Sequence, residues 1–147
     1  MGHEVVTREP LHAIGFEIRT SNDRAHEIGE HWGRFMVGGN ADEIPGRIDD
    51  TIVAVYAEYE GDHTQPYTFF LGCPVAAGTE VPPGMVAREL PGGAYACFRS
   101  EGEQPKAMID TWQGIWSAPL QRSFRVDYEV HYPSEPQRVD ILIGFEA

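Results

Sequence analysis

The chain carries an internal repeat, which constrains its fold more than any other feature of the sequence. A shift of 80 residues lays segment 5–20 over segment 85–100 without a gap, and the same shift lays 28–36 over 108–116. The second pair of segments shares apolar residues at i, i+4, i+7 and i+8, the spacing of one face of an amphipathic helix. Self-similarity of this kind predicts two copies of one supersecondary unit.

A second shift, of 72 residues, lays segment 55–72 over segment 127–144. The difference, 80 − 72 = 8 residues, predicts an insertion in the first half, which we place in the loop 38–45. A chain of 147 residues has the size of one domain. We therefore expect a single domain over 1–147 with pseudo-repeats at about 1–75 and 82–147.

Each half is predicted to contain two strands, a helix and a β-hairpin, because period-two alternation flanks one helical stripe. In the first half the expected elements are strands 3–9 and 12–19, a helix over 23–37 with an N-cap at 21–23 and a stop at Gly38, and strands 51–59 and 66–73. In the second half they are strands 84–90 and 93–99, a helix over 104–116 with Pro105 in its first turn, and strands 124–132 and 138–145. This predicts an α+β fold in which duplicated modules form one curved antiparallel sheet with two helices and a central ligand groove.

The composition narrows the classes of partner. The chain has 11 lysine and arginine residues and 23 aspartate and glutamate residues, so its net charge is 11 − 23 = −12. A negative surface repels phosphate backbones, and we therefore expect no direct binding of nucleic acid. Cys73 and Cys97 form no C-x-x-C pair, which favours buried thiols of a reducing cytoplasm over a disulfide. No apolar run has the length of a membrane span and no signal peptide begins the sequence, so a cytoplasmic protein without membrane contact is expected.

The stretch "VDYEVHYP" (126–133) alternates apolar and polar residues and places one carboxylate, Glu129, on its polar side. Carrying the alternation through the repeat collects aromatic and apolar side chains on that same face: Tyr59, Phe70, Tyr95, His131 and Leu142. Two interpretations stay open, a solvent-exposed strand glutamate and the floor of a pocket. In a pocket, the carboxylate either attracts an organic cation that stacks on the rings or acts as a general base or acid.

Other motifs are weaker. "HEIGEH" (26–31) spaces its histidines five residues apart, about 140° around a helix at roughly 100° per residue, so we predict no metal site. No phosphate-binding loop follows "GGNAD", and no cofactor is expected. The repeat predicts core positions for Trp32 and Trp112, whereas Trp116 has no tryptophan counterpart and is the better candidate for ligand contact.

Three segments carry a resemblance to a known family: "LPGGAYACFRSEG" (90–102), "MIDTWQGIW" (108–116) and "DYEVHYP" (127–133). The chain resembles, over essentially its whole length, the GyrI-like small-molecule-binding family, the effector-binding domain of AraC-type and MerR-type regulators. The resemblance implies that Glu129 is the pocket carboxylate, with Tyr95 and either Trp112 or Trp116 as walls. His131 departs from the tyrosine that the family usually has there.

Three functions are compatible with this resemblance. The first is a stand-alone module that captures amphipathic, often cationic, aromatic molecules. The second is a hydrolase of strained, cyclopropane-bearing electrophiles, in which Glu129 activates water and Tyr95 orients or protonates the substrate. The third is a protein–protein role such as topoisomerase inhibition by the acidic surface. Because no helix-turn-helix segment accompanies the domain, a regulatory role would need a separate DNA-binding partner.

Overall fold

Eight strands form one antiparallel sheet in the computed structural model, which describes residues 3–38, 40–62, 64–117 and 122–145. The strands are β1 (Glu4–Arg8), β2 (Leu11–Thr20), β3 (Ile52–Ala57), β4 (Tyr67–Val75), β5 (Val86–Leu90), β6 (Gly93–Glu101), β7 (Arg122–His131) and β8 (Arg138–Phe145). The α-helices are α1 (Ala25–Val37), α2 (Asn40–Glu43) and α3 (Lys106–Ser117).

The strand order is β1-β6-β8-β7-β3-β4-β2-β5, so the first strand of each half pairs with the second strand of the other half. The halves also pair at the centre of the sheet, where β3 lies beside β7. Exchanging β1–β4 with β5–β8 leaves this order unchanged. The predicted α+β class with one antiparallel sheet is confirmed, while duplication of the sequence stays a prediction.

The two long helices lie close to their predicted bounds. α1 is preceded by a 3-10 turn over Asn22–Arg24 and has no side-chain cap, so the expected N-cap at 21–23 is wrong. Its end at Gly38 is confirmed. In α3 the Gln104 side chain accepts a hydrogen bond from the Met108 backbone N–H at 3.0 Å, which caps the first turn. The predicted insertion at 38–45 contains the third, short helix, α2.

Both faces of the sheet are apolar, but different elements cover them. One face packs against α1 through residues such as Phe35 and against α3 through Trp112 and Ile115. On the other face, the buried cluster and the residues packed against it come from all eight strands. Since the members of this second cluster among the described residues are all strand residues, the sheet buries that face by curving around it.

The two cysteines are free thiols, Cys73 buried and Cys97 half-buried. Burial raises the pKa of both thiols, to about 11 for Cys73, so both stay protonated near neutral pH. In the part of the chain that the structure describes, no helix is long and apolar enough to cross a membrane.

Replacing Gly15 with alanine is expected to lower the free energy of unfolding by about 2 kcal/mol. Gly15 pairs with Gly72 of β4, and a Cβ at position 15 would overlap the backbone carbonyl of Leu71. Because that carbonyl belongs to a paired strand, the strands must separate to accommodate the methyl group. Urea denaturation followed by circular dichroism measures the loss.

The control is Gly33→Ala on the exposed side of α1, where nothing lies within 4 Å of the added Cβ. This substitution should stabilise the protein by up to about 1 kcal/mol, since alanine is the better helix former. Equal stabilities for the two variants would contradict the close approach of β2 and β4.

Candidate functional site

A cavity of about 590 Å³ lies between α1 and α3, above the helix-covered face of the sheet. Its walls are mostly aromatic and aliphatic side chains supplied by both helices, by the strands between them and by adjoining loops. The lining residues are Asn22, Ile28, Gly29, Trp32, Tyr56, Tyr59, Tyr67, Gln104, Pro105, Met108, Ile109, Trp112, Trp116, Arg122, His131, Pro136 and Val139. Trp116 is 39% exposed, so it stands at the rim of the cavity.

Glu129 lies directly beneath this aromatic wall and is fully buried. The Tyr56 hydroxyl and the Trp112 indole N–H both donate to its Oε2, at 2.8 and 2.7 Å. His131 Nε2 lies 2.7 Å from its Oε1, in donor position. All three partners line the cavity. Hydrogen bonds of this length are what a buried carboxylate needs in order to remain in an apolar interior.

A second fully buried carboxylate, Asp127, lies two residues earlier on the same face of β7. Arg122 Nη2 lies 2.7 Å from its Oδ2, and the Tyr59 hydroxyl donates to the same oxygen at 2.5 Å. The Gly144 backbone N–H donates to Oδ1 at 2.9 Å. A register shift in β7 between Arg122 and Asp127, where Phe124 has a φ of 53°, brings the two ends of this ion pair together.

The two carboxylates therefore differ in charge compensation. Asp127 has a buried guanidinium as its partner. Among the described residues, no lysine or arginine forms an ion pair with Glu129, and the side chains that contact its oxygens are Tyr56, Trp112 and His131. Glu129 is thus satisfied by hydrogen bonds, whereas Asp127 is paired with a guanidinium.

The rings of the cavity form a connected network. Tyr56 lies 5.2 Å from Trp112 and 5.6 Å from Tyr67, in edge-to-face geometry, and Trp32 packs against His131 with centroids 4.7 Å apart. Burial raises the pKa of Tyr56 well above its usual value, with the nearby Glu129 charge as the next cause. The phenols therefore stay neutral hydrogen-bond donors.

Four of the predicted site residues border the cavity, and Glu129 lies beneath it. Tyr59, Trp112, Trp116 and His131 all line the wall. Three others, Phe70, Tyr95 and Leu142, were predicted on the same face, and this placement is wrong because they belong to the cluster on the opposite, strand-only face. The Tyr95 hydroxyl there donates to the Pro91 carbonyl at 2.6 Å.

The error comes from strand register. The 72-residue shift matches Glu129 to Ala57, but the Ala57 side chain belongs to the cluster on the opposite face, and in β8 the residue paired with Glu129 is Ile141. Because side chains alternate between faces, an error of one residue moves a prediction to the other side of the sheet. Leu142 therefore points away from Glu129.

The sequence reasoning missed Trp32, Tyr56 and Tyr67 as cavity residues. Trp32 was predicted to be core, but it is half-buried and lines the cavity. The repeat held the relevant signal, since it matches Trp32 to Trp112 and Ile28 to Met108, and all four line the same cavity. Helix positions that correspond between two halves lie on facing walls when both helices cover one side of the sheet.

Solved structures of other proteins have this fold. An integron cassette protein from the mobile metagenome of Vibrio cholerae superposes with a TM-score of 0.82 at 23% identity, over 99% of this chain and 97% of that one. A protein named SAV2435, solved with tetraphenylphosphonium bound, gives a TM-score of 0.81 at 14% identity, over 100% and 95% of the two chains. At these identities the likeness establishes the shared fold.

Sequence comparison gives the family. The chain is 31% identical over 100 residues to YobU of Bacillus subtilis (strain 168); the match covers 65% of this chain and 62% of that protein. Residues 4–144 match the Cass2 family, described as integron-associated effector-binding proteins. The resemblance to GyrI-like proteins is confirmed, and because the match spans the sheet, both long helices and the cavity between them, this chain belongs to the Cass2 family of effector-binding proteins.

Proposed function

We propose that this protein captures amphipathic aromatic cations in the cavity between α1 and α3, with Glu129 as the charge that attracts them. The observation that carries the proposal is a fully buried carboxylate, without a fixed cationic partner among the described residues, under a wall of aromatic rings. Capture then serves either to present an effector to a separate regulatory partner or to sequester a drug.

Electrostatics favours a cation over a neutral ligand of the same shape. A positive charge about 5 Å from a carboxylate, at an effective dielectric constant of roughly 20, gains about 3 kcal/mol before its own desolvation is counted. Faces of tyrosine and tryptophan add cation–π attraction of about 0.5–2 kcal/mol. A large, diffusely charged aromatic cation loses little hydration on entering, so more of this attraction remains as affinity.

The comparisons support this ligand class. SAV2435, which shares the fold over the whole chain, was solved with tetraphenylphosphonium, a bulky aromatic cation. The family description names effector binding as the common property. Tetraphenylphosphonium is therefore a suitable first probe for this protein.

The two residues first assigned to a hydrolase, Glu129 and Tyr95, do not share one site, which weakens that hypothesis. Tyr95 lies across the sheet from Glu129, so it cannot act on the same substrate. The phenol that does contact Glu129 is Tyr56, and it donates to the carboxylate. Since both carboxylate oxygens already accept hydrogen bonds from side chains, the arrangement favours holding a charge over activating water.

Replacing Glu129 with glutamine should weaken tetraphenylphosphonium binding by about tenfold to a hundredfold, as expected from losing 1.4–3 kcal/mol of attraction. Glutamine keeps the size of the side chain and can still accept from Trp112 and Tyr56. Titration calorimetry gives the dissociation constants. In the wild type, ligand at a hundred times its Kd should also raise the free energy of unfolding by about 2.7 kcal/mol.

The matched control is Glu80→Gln, which removes the same charge from an exposed loop. It should leave the affinity unchanged, because exposed charges are screened by salt. Equal weakening in both variants would mean that overall charge attracts the ligand, and unchanged binding in Glu129→Gln would remove Glu129 from the site.

Tyr59, in the wall of the proposed site, stays uncharged in alkaline solution, and its retained proton affects the free energy of unfolding. Burial and the Asp127 charge raise the pKa of Tyr59 well above its usual value near 10. Above about pH 10 the unfolded chain releases a proton that folded Tyr59 retains, so the free energy of unfolding falls as the pH rises. Below that pH both states hold the proton and this contribution is constant.

Urea unfolding between about pH 8 and 11 tests this. Tyr59→Phe should reduce the alkaline slope by up to about 1.4 kcal/mol per pH unit, the value for one proton. An identical slope in the wild type and the variant would show that Tyr59 ionises normally in the folded state.

A further inference from the structure

Arg122 has more hydrogen-bonding capacity than its ion pair uses. Its side chain is only 4% exposed, and Nη2 lies 2.7 Å from Asp127 Oδ2. The other two nitrogens, Nε and Nη1, are buried and have no hydrogen-bond partner in the described part of the chain. Buried guanidinium N–H groups without an acceptor are unfavourable and rare in folded proteins, which points to an acceptor that arrives with a ligand.

The Arg122 side chain borders the cavity. Arg122 is one of the lining residues, and its Cζ lies 4.4 Å from the Phe124 ring centroid and 6.0 Å from that of Trp112. The indole N–H of Trp112 is bonded to Glu129. The guanidinium and the carboxylate of Glu129 therefore flank the same tryptophan.

The local charges specify the kind of acceptor. Asp127 already balances the charge of Arg122, which leaves Glu129 as the net negative charge of this region. An anionic ligand group would enter beside two buried carboxylates and be repelled. An uncharged oxygen, such as the carbonyl of a ketone or amide, accepts from the guanidinium without this repulsion.

We propose that Arg122 forms an acceptor subsite, and that the preferred ligands are aromatic cations that also carry an uncharged carbonyl oxygen. This inference rests on the proposed function, since it assigns a second contact within the same cavity. It names Arg122 as a specificity-determining residue: Glu129 selects for positive charge, and Arg122 selects among cations for the one with an oxygen acceptor.

The test uses two cations that differ in one group, (4-benzoylbenzyl)trimethylammonium and (4-benzylbenzyl)trimethylammonium. The first has a ketone where the second has a methylene. Titration calorimetry on the wild type should show the ketone binding about tenfold more tightly, the effect of one hydrogen bond to a charged group. Hydrophobicity alone predicts the reverse order, because the ketone is the better hydrated compound.

The variant is the double substitution Arg122→Met with Asp127→Asn, because removing Arg122 alone would leave Asp127 buried without its partner. In this variant the ketone preference should fall to within about twofold. Circular dichroism checks that the variant is folded. If it does not fold, the wild-type comparison still tests the acceptor subsite, since equal binding of the two cations overturns it.

Each outcome has one meaning. Equal binding of the two cations by the wild type overturns the acceptor subsite and leaves the cation site intact. A ketone preference that persists in the double variant overturns the assignment to Arg122. Absence of binding by both cations, and by tetraphenylphosphonium, overturns the proposed function together with this inference.

Discussion

Two carboxylates buried two residues apart on one strand are the constraint on which the site depends. Glu129 and Asp127 are both fully buried, and a buried carboxylate is tolerated only when hydrogen bonds or a counter-charge replace its water. The donors to Glu129 come from β3, α3 and β7 itself, so satisfying this one group ties a helix and two strands together. The aromatic residues that form the cavity wall are therefore also the residues that keep the charge in place.

Different compensation gives the two carboxylates different roles. Asp127 forms an ion pair with Arg122 of the same strand, β7. It also accepts a hydrogen bond from the Gly144 N–H, which joins β7 to β8. Glu129 is held instead by the neutral donors Tyr56 and Trp112 and by His131, and the proposed attraction of cations rests on this difference. Arg122 balances Asp127, while its other two nitrogens have no partner among the described residues.

The pairing of strands between the two halves explains why the cavity exists. β1 pairs with β6 and β5 pairs with β2, so neither half builds its part of the sheet alone. The central pairing of β3 with β7 places α1 and α3 on the same side of the sheet, and the space between them becomes the cavity. One half by itself would present an apolar sheet face and one helix, without a facing wall.

The amino-acid sequence by itself determined the eight strands, the two long helices and the apolar stripe shared by Trp32 and Trp112. These follow from local periodicity and composition, which one chain displays directly. The tertiary structure alone decided which side chains share the face of Glu129: Tyr56 and Tyr67 do, whereas Phe70 and Tyr95 do not. Strand register and the bulge before Asp127 set that arrangement. Because side chains alternate with a period of two, a shift of one residue exchanges the two faces of the sheet, and local sequence patterns cannot resolve such a shift.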